Sequence, residues 1–259
     1  VLGDITRKTW SISTNTPGQV NLVVSGDYAS LRWTGGVNTN WDTAATTNWW
    51  NLGSLADDIF LPGDDVLFDD SGLSANTVSV IGRVLPSTVT VNSTGTYHFG
   101  GPGTIGGSAT LTKTGTGALV LPGTNIYTGS TTVDGGLLRL SYNNGGSGTL
   151  GGGPLIVNTG AVVEVTVGNA LGYSGASWTK TISINGGTLR TTVVGDNGWN
   201  TVINLTGGTM ASTVANGYFS SGYGLSSGNG AVFNVVTSDA PSVISADLTS
   251  RDNPGGSML

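Results

Sequence analysis

The sequence predicts an all-β chain that folds as a right-handed parallel β-helix, with irregular rungs of about 19–27 residues. Glycine supplies 44 of the 259 residues, β-branched residues are plentiful, and helix-favouring residues are scarce. A turn that ends in glycine recurs six times, and a large apolar residue follows each of these glycines two places later. The chain contains no cysteine, which excludes a disulfide scaffold and a thiol nucleophile.

The recurring turn gives the predicted rung its shape. Two strand-like runs flank a turn of Asn, Asp, Thr or Gly residues, where glycine adopts the positive φ that other residues resist. The turn glycines are expected to sit at such corners: Gly95, Gly117, Gly136, Gly160, Gly187 and Gly208. Their intervals are 22, 19, 24, 27 and 21 residues. Parallel rungs about 4.8 Å apart stack equivalent side chains. We therefore expect one buried column of Tyr97, Leu119, Leu138, Val162, Leu189 and Met210.

Two other structures compete with the β-helix. Asp-Gly and Asn-Gly pairs favour two-residue hairpin turns, so an antiparallel meander is an alternative. A Gly/Ser/Thr-rich chain can also be disordered, but disorder is marked by high net charge and few β-branched residues. Because the net charge is only −6 and Val, Ile and Leu are plentiful, ordered rungs are expected.

Four regions follow one another along the chain. Residues 1–31 contain alternating strands and are interpreted as a cap or as the end of a preceding unit. Residues 32–75 form a Trp/Asp-rich segment, and residues 76–212 hold the β-helix rungs. Residues 213–259 form a loop and terminal strands that are expected to continue into a further module.

The middle of the chain carries a specific motif. The stretch LTKTGTGALVLPGTNIYTGSTTVDGGLLRL contains Lys-x-Gly-x-Gly, Gly-x-Asn-x-Tyr-x-Gly, Thr-Thr and Gly-Gly-x-Leu. It resembles the autotransporter-associated β-strand repeat family, also called passenger-associated transport repeats. A weaker resemblance extends over most of residues 33–212. The matching positions are Leu111, Lys113, Gly115, Gly117, Gly123, Asn125, Tyr127, Gly129, Thr131, Thr132, Gly135, Gly136 and Leu138.

The resemblance implies a β-helical part of a large secreted or surface-displayed bacterial protein. On this basis we expect a non-catalytic extracellular structural module: a stalk, matrix or filament building block at the bacterial cell surface. Its expected partners are neighbouring modules or copies of itself, arranged head to tail. The alternative function is a carbohydrate-binding adhesin that recognises surface polysaccharide, and a polysaccharide-degrading β-helix enzyme is a third.

Charge and hydropathy argue against two classes of partner. The nine Lys and Arg residues are spread along the chain, whereas a nucleic-acid binder clusters such residues on one face to neutralise phosphates. No run of 18 apolar residues occurs, so no membrane-spanning segment is expected.

Aromatic residues provide the candidate sugar site. Flat aromatic faces beside Asn and Asp recognise carbohydrate, which makes Trp41, Trp49, Trp50, Tyr218 and Tyr223 the candidate binding residues. In the alternative interpretation, the tryptophans cover the first rung as a lid.

Carboxylates provide the candidate metal site. Within the Trp/Asp-rich segment, three Asp pairs lie in a stretch of fourteen residues. This density of carboxylates suits calcium. Asp64, Asp65, Asp69 and Asp70 are the candidate ligands. The alternative is that these carboxylates are solvated at strand ends, and no other cofactor is expected.

Enzymatic activity is not expected, because the rungs supply few groups for acid–base chemistry. His98 is the only histidine. Arg139 and Arg190 are expected to share one outward column, with an unrelated rung between them. Glu164 and Asp196 are acids that the rungs supply.

Overall fold

The computed structural model describes residues 7–142, 148–172, 179, 181–193 and 202–214, and the backbone of five later strands between residues 218 and 257. The described chain is all-β and forms a β-solenoid of about six turns, which confirms the predicted fold class.

The strands of the first half are β1 (Thr9–Ser13), β2 (Asn21–Ser25), β3 (Ser30–Trp33), β4 (Asn40–Trp41), β5 (Trp49–Asn51), β6 (Ala56–Asp58), β7 (Asp65–Asp69), β8 (Thr77–Val80), β9 (Arg83–Val84), β10 (Thr88–Asn92), β11 (Tyr97–Gly100), β12 (Thr104–Ile105), β13 (Thr110–Thr114) and β14 (Ala118–Leu121). A 3₁₀ helix, η1 (Asp70–Ala75), lies between β7 and β8.

The strands of the second half are β15 (Thr131–Val133), β16 (Leu137–Leu140), β17 (Leu155–Asn158), β18 (Val162–Val165), β19 (Thr181–Asn185), β20 (Thr188–Thr191), β21 (Val202–Thr206), β22 (Thr209–Ser212), β23 (Tyr218–Ser221), β24 (Phe233–Val236), β25 (Val243–Ser245), β26 (Asp247–Ser250) and β27 (Asn253–Ser257).

Two long sheets form the walls of the solenoid. Sheet 1 has the order β24-β21-β19-β17-β15-β13-β10-β7-β3-β5-β6, and sheet 2 has the order β25-β22-β20-β18-β16-β14-β11-β8-β4. Their strands pair in parallel, except for β3–β5 and β5–β6, which are antiparallel. The short parallel pair β9–β12 forms part of a third wall. This parallel pairing excludes the antiparallel meander.

Successive partners in sheet 1 give the length of each turn of the solenoid. The residues that lie opposite one another along this ladder are Val66, Val89, Leu111, Thr131, Leu155, Ile182 and Ile203. The turns are therefore 23, 22, 20, 24, 27 and 21 residues long. These lengths lie within the predicted range of about 19–27 residues.

Sheet 2 contains the predicted apolar column, with one change of register. Five of the six predicted residues are fully buried: Tyr97, Leu119, Leu138, Leu189 and Met210. The prediction was wrong for Val162, because Val163 pairs with Leu138 on one side and with Leu189 on the other. The length of the corner explains this change of register. Asn158 and Asn185 lie opposite each other in sheet 1, and Val163 and Leu189 lie opposite each other in sheet 2. The corner that begins at Asn158 is therefore one residue longer than the corner that begins at Asn185.

The corner glycines are required for two different reasons. Gly136 has the predicted positive φ of 64°. Gly187 and Gly208 do not, because in these corners the preceding glycine takes the positive φ. A Cβ on Gly187 would lie 2.6 Å from the Asn158 carbonyl oxygen, and one on Gly208 would lie 2.4 Å from a methyl carbon of Ile184. Close approach between rungs therefore excludes larger residues at both positions.

The stack begins earlier than the predicted boundary at residue 76. Strand β3 pairs in parallel with β7, and β4 pairs in parallel with β8, so residues 30–41 already form a rung. The chain then folds back as β5 and β6, which extend sheet 1 in antiparallel fashion. The N-terminal edge of sheet 1 is thus an antiparallel hairpin.

Candidate functional site

An aromatic cluster fills the core at the N-terminal end of the solenoid. Trp33, Trp41 and Trp49 are completely buried. The rings of Trp33 and Trp49 meet edge to face with their centroids 5.0 Å apart, and those of Trp41 and Trp49 meet in the same way at 5.6 Å. The cluster is completed by Phe60, Phe68, Tyr97 and Phe99. We call these seven residues the aromatic cap.

The aromatic cap corrects the predicted sugar site. A stacking platform needs an exposed ring face, and Trp41 and Trp49 have none because both are buried in the first rung. Trp50 points to the other face of β5 and is half-buried. Tyr218 lies in β23, and its side chain is outside the described part of the chain, as is the whole of Tyr223. The two buried tryptophans match the alternative interpretation, in which they act as a lid.

A buried amide fixes the loop that leads into the aromatic cap. The Asn48 side chain accepts hydrogen bonds from the backbone N–H groups of Val37 and Asn38, both at 3.0 Å. Its amide nitrogen donates to Asn38 Oδ1 and to the Asn40 carbonyl, both at 2.8 Å. Sequence reasoning missed Asn48, because one Asn before a Trp pair carries no turn signal of its own.

Asp64 holds a structural ion pair. Its side chain is fully buried and accepts hydrogen bonds from Arg7 Nε at 2.7 Å and from the backbone N–H groups of Ala29 and Leu61, both at 2.9 Å. Arg7 also contacts Asp58 at 3.0 Å. Burial lowers the pKa of Arg7, but the hydrogen bonds and negative charges of Asp64 and Asp58 outweigh it and raise the pKa.

The structure does not assemble the predicted calcium site. Asp65 and Asp69 lie at opposite ends of β7. Asp65 accepts a hydrogen bond from Thr88 Oγ1, Asp69 accepts one from the Ser71 backbone, and Asp70 accepts one from the Thr94 backbone. Within the described residues, no group of three or more His, Cys, Asp or Glu side chains could hold a metal ion. Asp64 is buried with Arg7 near one end of β7, whereas Asp69 and Asp70 lie at its other end, so the four predicted ligands do not converge and calcium binding stays a prediction.

Lys113 lies inside the corner between the two sheets. Its side chain is completely buried. The ammonium group donates hydrogen bonds to the carbonyl oxygens of Thr114, of Gly115 at 3.1 Å and of Gly135 at 3.3 Å. Burial lowers the pKa of Lys113 to about 8.

In a neighbouring rung, other side chains donate hydrogen bonds to the carbonyl groups of the equivalent corner. The Tyr97 hydroxyl donates to the Asp69 carbonyl at 2.7 Å, and Ser93 Oγ donates to the Gly95 carbonyl at 2.9 Å. Each of these carbonyls accepts its hydrogen bond from a buried side chain, as buried donors require a partner within the protein. The corner is therefore a polar column inside an apolar core.

Asn125 of the motif joins neighbouring rungs, and Tyr127 contacts a residue four places later in the chain. Asn125 accepts a hydrogen bond from the Ile105 N–H at 3.1 Å and donates to the Thr149 carbonyl at 3.0 Å. The buried Tyr127 hydroxyl is 2.6 Å from Thr131 Oγ1, and burial raises the pKa of Tyr127 to about 12.

The motif glycines allow close approach of these rungs. A Cβ on Gly117 would lie 2.0 Å from the Gly95 carbonyl oxygen, and one on Gly129 would lie 2.3 Å from the Ala109 carbonyl oxygen. These motif residues thus allow neighbouring rungs to stack closely on one another.

An ion ladder crosses three rungs on the outer face of sheet 2. Glu164 Oε1 is 2.6 Å from Arg139 Nε, and Glu164 Oε2 is 2.6 Å from Arg190 Nη2. Burial raises the pKa of Glu164, but the hydrogen bonds and charges of the two arginines lower it further, so the net shift is downward. The sequence predicted an unrelated rung between the two arginines. That rung instead supplies the carboxylate that both arginines share.

The same register shift explains the ladder. Because the corner before β18 has one extra residue, Val163 turns inward and Glu164 turns outward between the arginines. His98 belongs to the same outward column through Val120, and Asp196 lies outside the described residues.

In the part of the chain that the structure describes, no helix has the length and apolar character needed to cross a membrane. Comparison with curated proteins and with solved structures gives no significant match. Comparison with protein families gives one match, in the rungs that contain Lys113 and Tyr127. Residues 111–140 match the family model described as the passenger-associated transport repeat, as their motif predicts.

Proposed function

We propose that this chain is a non-catalytic structural module of a secreted or surface-displayed bacterial protein, and that it serves as a stalk, matrix or filament building block. The match over residues 111–140 suggests a β-helix of the autotransporter passenger type. The observation that supports a mechanical role most directly is the continuity of the two sheets, with eleven and nine strands, around one apolar core. Each inner rung is hydrogen-bonded to both neighbours, which favours stiffness and resistance to proteolysis.

The use of polar side chains also supports this role. Asp64 is bonded to Arg7, Lys113 to corner carbonyls, and Glu164 to two arginines. These groups hold one rung to another or fasten a segment to the solenoid. The burial of Trp41 and Trp49 removes the main support for an adhesin.

Stretching single molecules between their termini tests the mechanical role. If rungs peel off one at a time, turns of 20–27 residues should lengthen the chain in steps of about 70–95 Å. Leu138→Ala should lower the force of its own step, because a buried leucine is lost from the core. Its neighbour Leu137 is only half-buried, so Leu137→Ala is the matched control. Extension at low force without rung-sized steps would contradict a load-bearing role.

Binding and activity assays separate the other two functions. We expect no specific binding on a glycan array and no sugar release from a panel of polysaccharides. Specific glycan binding that is lost in Trp50→Ala would favour the adhesin. Sugar release that is lost in Glu164→Gln would favour the enzyme. Either result would overturn the proposed function even if the molecule is stiff.

A further inference from the structure

The β1–β2 hairpin stands apart from the solenoid. Within the described chain its strands form a separate two-stranded sheet and pair only with each other. Its base is fastened by the ion pair between Arg7 and Asp64 and by Lys8, whose ammonium nitrogen lies 4.5 Å from the centre of the Tyr28 ring. The two strands themselves are almost entirely exposed. We call this element the arm.

The register of the arm gives it two unlike faces. Trp10 lies opposite Val24, and Ile12 lies opposite Leu22. Because side chains alternate along a strand, these four residues share one face. Val20, two residues before Leu22 and just outside β2, continues this spacing. The five side chains are between 47% and 75% exposed. We call these five residues the apolar face.

The other face of the arm is mainly hydroxyl and amide groups. Thr9 Oγ1 lies 2.6 Å from Ser25 Oγ across the two strands. Ser11, Ser13 and Asn21 complete this polar face, where Val23 is the one large apolar residue. An isolated two-stranded hairpin is marginal in water, and a sheet with one apolar face buries that face against another layer. The arm therefore has the pattern expected of one layer in a two-layer structure.

Area and charge indicate what the other layer is. Five such side chains expose about 500 Å² together, at roughly 100 Å² each. Two apolar faces in contact would bury about 1,000 Å², the lower limit for a specific protein interface. In a two-fold interface the same patch meets itself, so a charge near the axis would face its own copy. None of the five residues of the apolar face is charged, and Lys8, two residues before Trp10, lies at the base of the arm against the Tyr28 ring.

We propose that two copies of the chain dimerise through the apolar faces of their arms, which pack about 10 Å apart with the polar faces in water. This contact is made by the arms alone and differs from head-to-tail stacking of rungs. It goes beyond the proposed structural function, because it states how separate copies associate.

Analytical ultracentrifugation of the full chain from about 5 to 500 µM tests the proposal, since contacts of this size are weak. The wild type should shift from the monomer mass of 26.1 kDa to twice that mass as its concentration rises. Ile12→Asp places a charge on the apolar face and should leave the chain monomeric. Ser11→Asp adds the same charge to the polar face of the same strand, so it should still dimerise.

Cross-linking gives an independent measurement. The chain has no cysteine, so one introduced thiol is unambiguous. Leu22→Cys should be joined to its own copy by a bismaleimide of about 10 Å span, whereas Ser11→Cys on the outer face should not. Thermal unfolding of each variant shows whether the solenoid is intact, so loss of dimer is distinguished from loss of fold.

Several results would overturn the proposal. A wild type that stays monomeric up to about 500 µM would do so, and if that monomer floats with phosphatidylcholine vesicles, the apolar face binds lipid instead. Growth into species larger than the dimer would indicate head-to-tail association. Equal dimerisation of the Ile12→Asp and Ser11→Asp variants would place the interface elsewhere.

Discussion

The most unusual single residue is Lys113, a charged side chain in the core of the solenoid. Its three carbonyl partners compensate in part for the loss of water, but burial still favours the neutral amine. The sequence indicates Lys113 as a motif residue. Its burial could not be predicted, because the direction of the corner carbonyls depends on how the rungs stack.

We expect the buried ammonium to make folding stability depend on alkaline pH. The pKa of Lys113 falls from 10.5 to about 8 on folding, so between these values the unfolded chain binds more protons than the folded chain. The free energy of unfolding should therefore rise as the pH increases from 8 to 10, by up to about 3 kcal/mol. Chemical denaturation at several pH values measures this free energy of unfolding.

Lys113→Met is the control for this pH dependence. It removes the titrating group from both states, so the rise between pH 8 and 10 should disappear. Buried tyrosines such as Tyr127, whose pKa is raised to about 12, lower stability above pH 10 in both proteins and do not affect this window. An identical pH dependence in the two proteins would show that Lys113 does not titrate there.

At the scale of elements, the corners determine which face each side chain takes. The spacing of the corners between Gly95 and Gly208 was predictable from the glycines, and the parallel pairing of the strands followed from the recurring apolar position. The register of β18 was not predictable, because Asn158-Thr159-Gly160 and Asn185-Gly186-Gly187 look equivalent in sequence. One additional corner residue changes which side chains lie inside the core.

Substitution should cost different amounts at the two kinds of corner glycine. Gly160 has a φ of 81° and no atom within 4 Å of an added Cβ, so Gly160→Asn, which tolerates that conformation, should cost less than about 1 kcal/mol. Gly187 has no left-handed φ but faces the Asn158 carbonyl, so Gly187→Ala should cost about 1–3 kcal/mol by forcing two rungs apart. Thermal unfolding compares them. Equal costs would contradict the two separate causes.

The ion ladder should contribute modestly and in a salt-dependent way. The side chains of Arg139 and Arg190 are 41% and 35% exposed, so solvent screens both pairs with Glu164. We expect Glu164→Gln to cost about 1 kcal/mol at low salt and less at high salt. Because the folded-state pKa of Glu164 is lowered, this contribution is present above its ordinary pKa of 4.5 and is lost as the pH falls through the folded value.

Denaturation of Glu164→Gln and wild type at neutral and at acid pH checks the sign of this effect. The difference between the proteins should shrink at acid pH, where the wild-type carboxylate is protonated. A constant difference at all pH values would mean that the cost comes from packing rather than from charge.

At the scale of the whole molecule, the two halves of the described chain differ. The N-terminal end has an aromatic core, an antiparallel edge and the arm, whereas the following rungs have an aliphatic core. The sequence predicted a distinct Trp/Asp-rich segment but not its inclusion in the first rung. That inclusion depends on pairing between β3 and β7, which are more than thirty residues apart.

Residues 1–31 were predicted as a cap or as the end of a preceding unit, and Arg7 fastens the base of the arm to Asp64 of the solenoid. We expect Arg7→Ala to cost about 3 kcal/mol or more, because the fully buried Asp64 would lose its counter-ion. Lys8→Ala is the neighbouring comparison, since Lys8 contacts exposed partners: Asp27, at 3.9 Å, and the ring of Tyr28, at 4.5 Å. Thermal unfolding of the two variants measures the difference. Similar effects would show that Arg7 is not needed by the solenoid.

The unequal turns of sheet 1 have a consequence for how such a molecule can change size. Turns of 20 and of 27 residues occupy the same single step along the axis, about 4.8 Å, because that step is set by backbone pairing. An insertion at a corner therefore widens the cross-section and leaves the axial length unchanged. Only the gain or loss of a complete turn alters the axial length. The axial length of the solenoid therefore depends on the number of turns, and its cross-section depends on the number of residues in each turn.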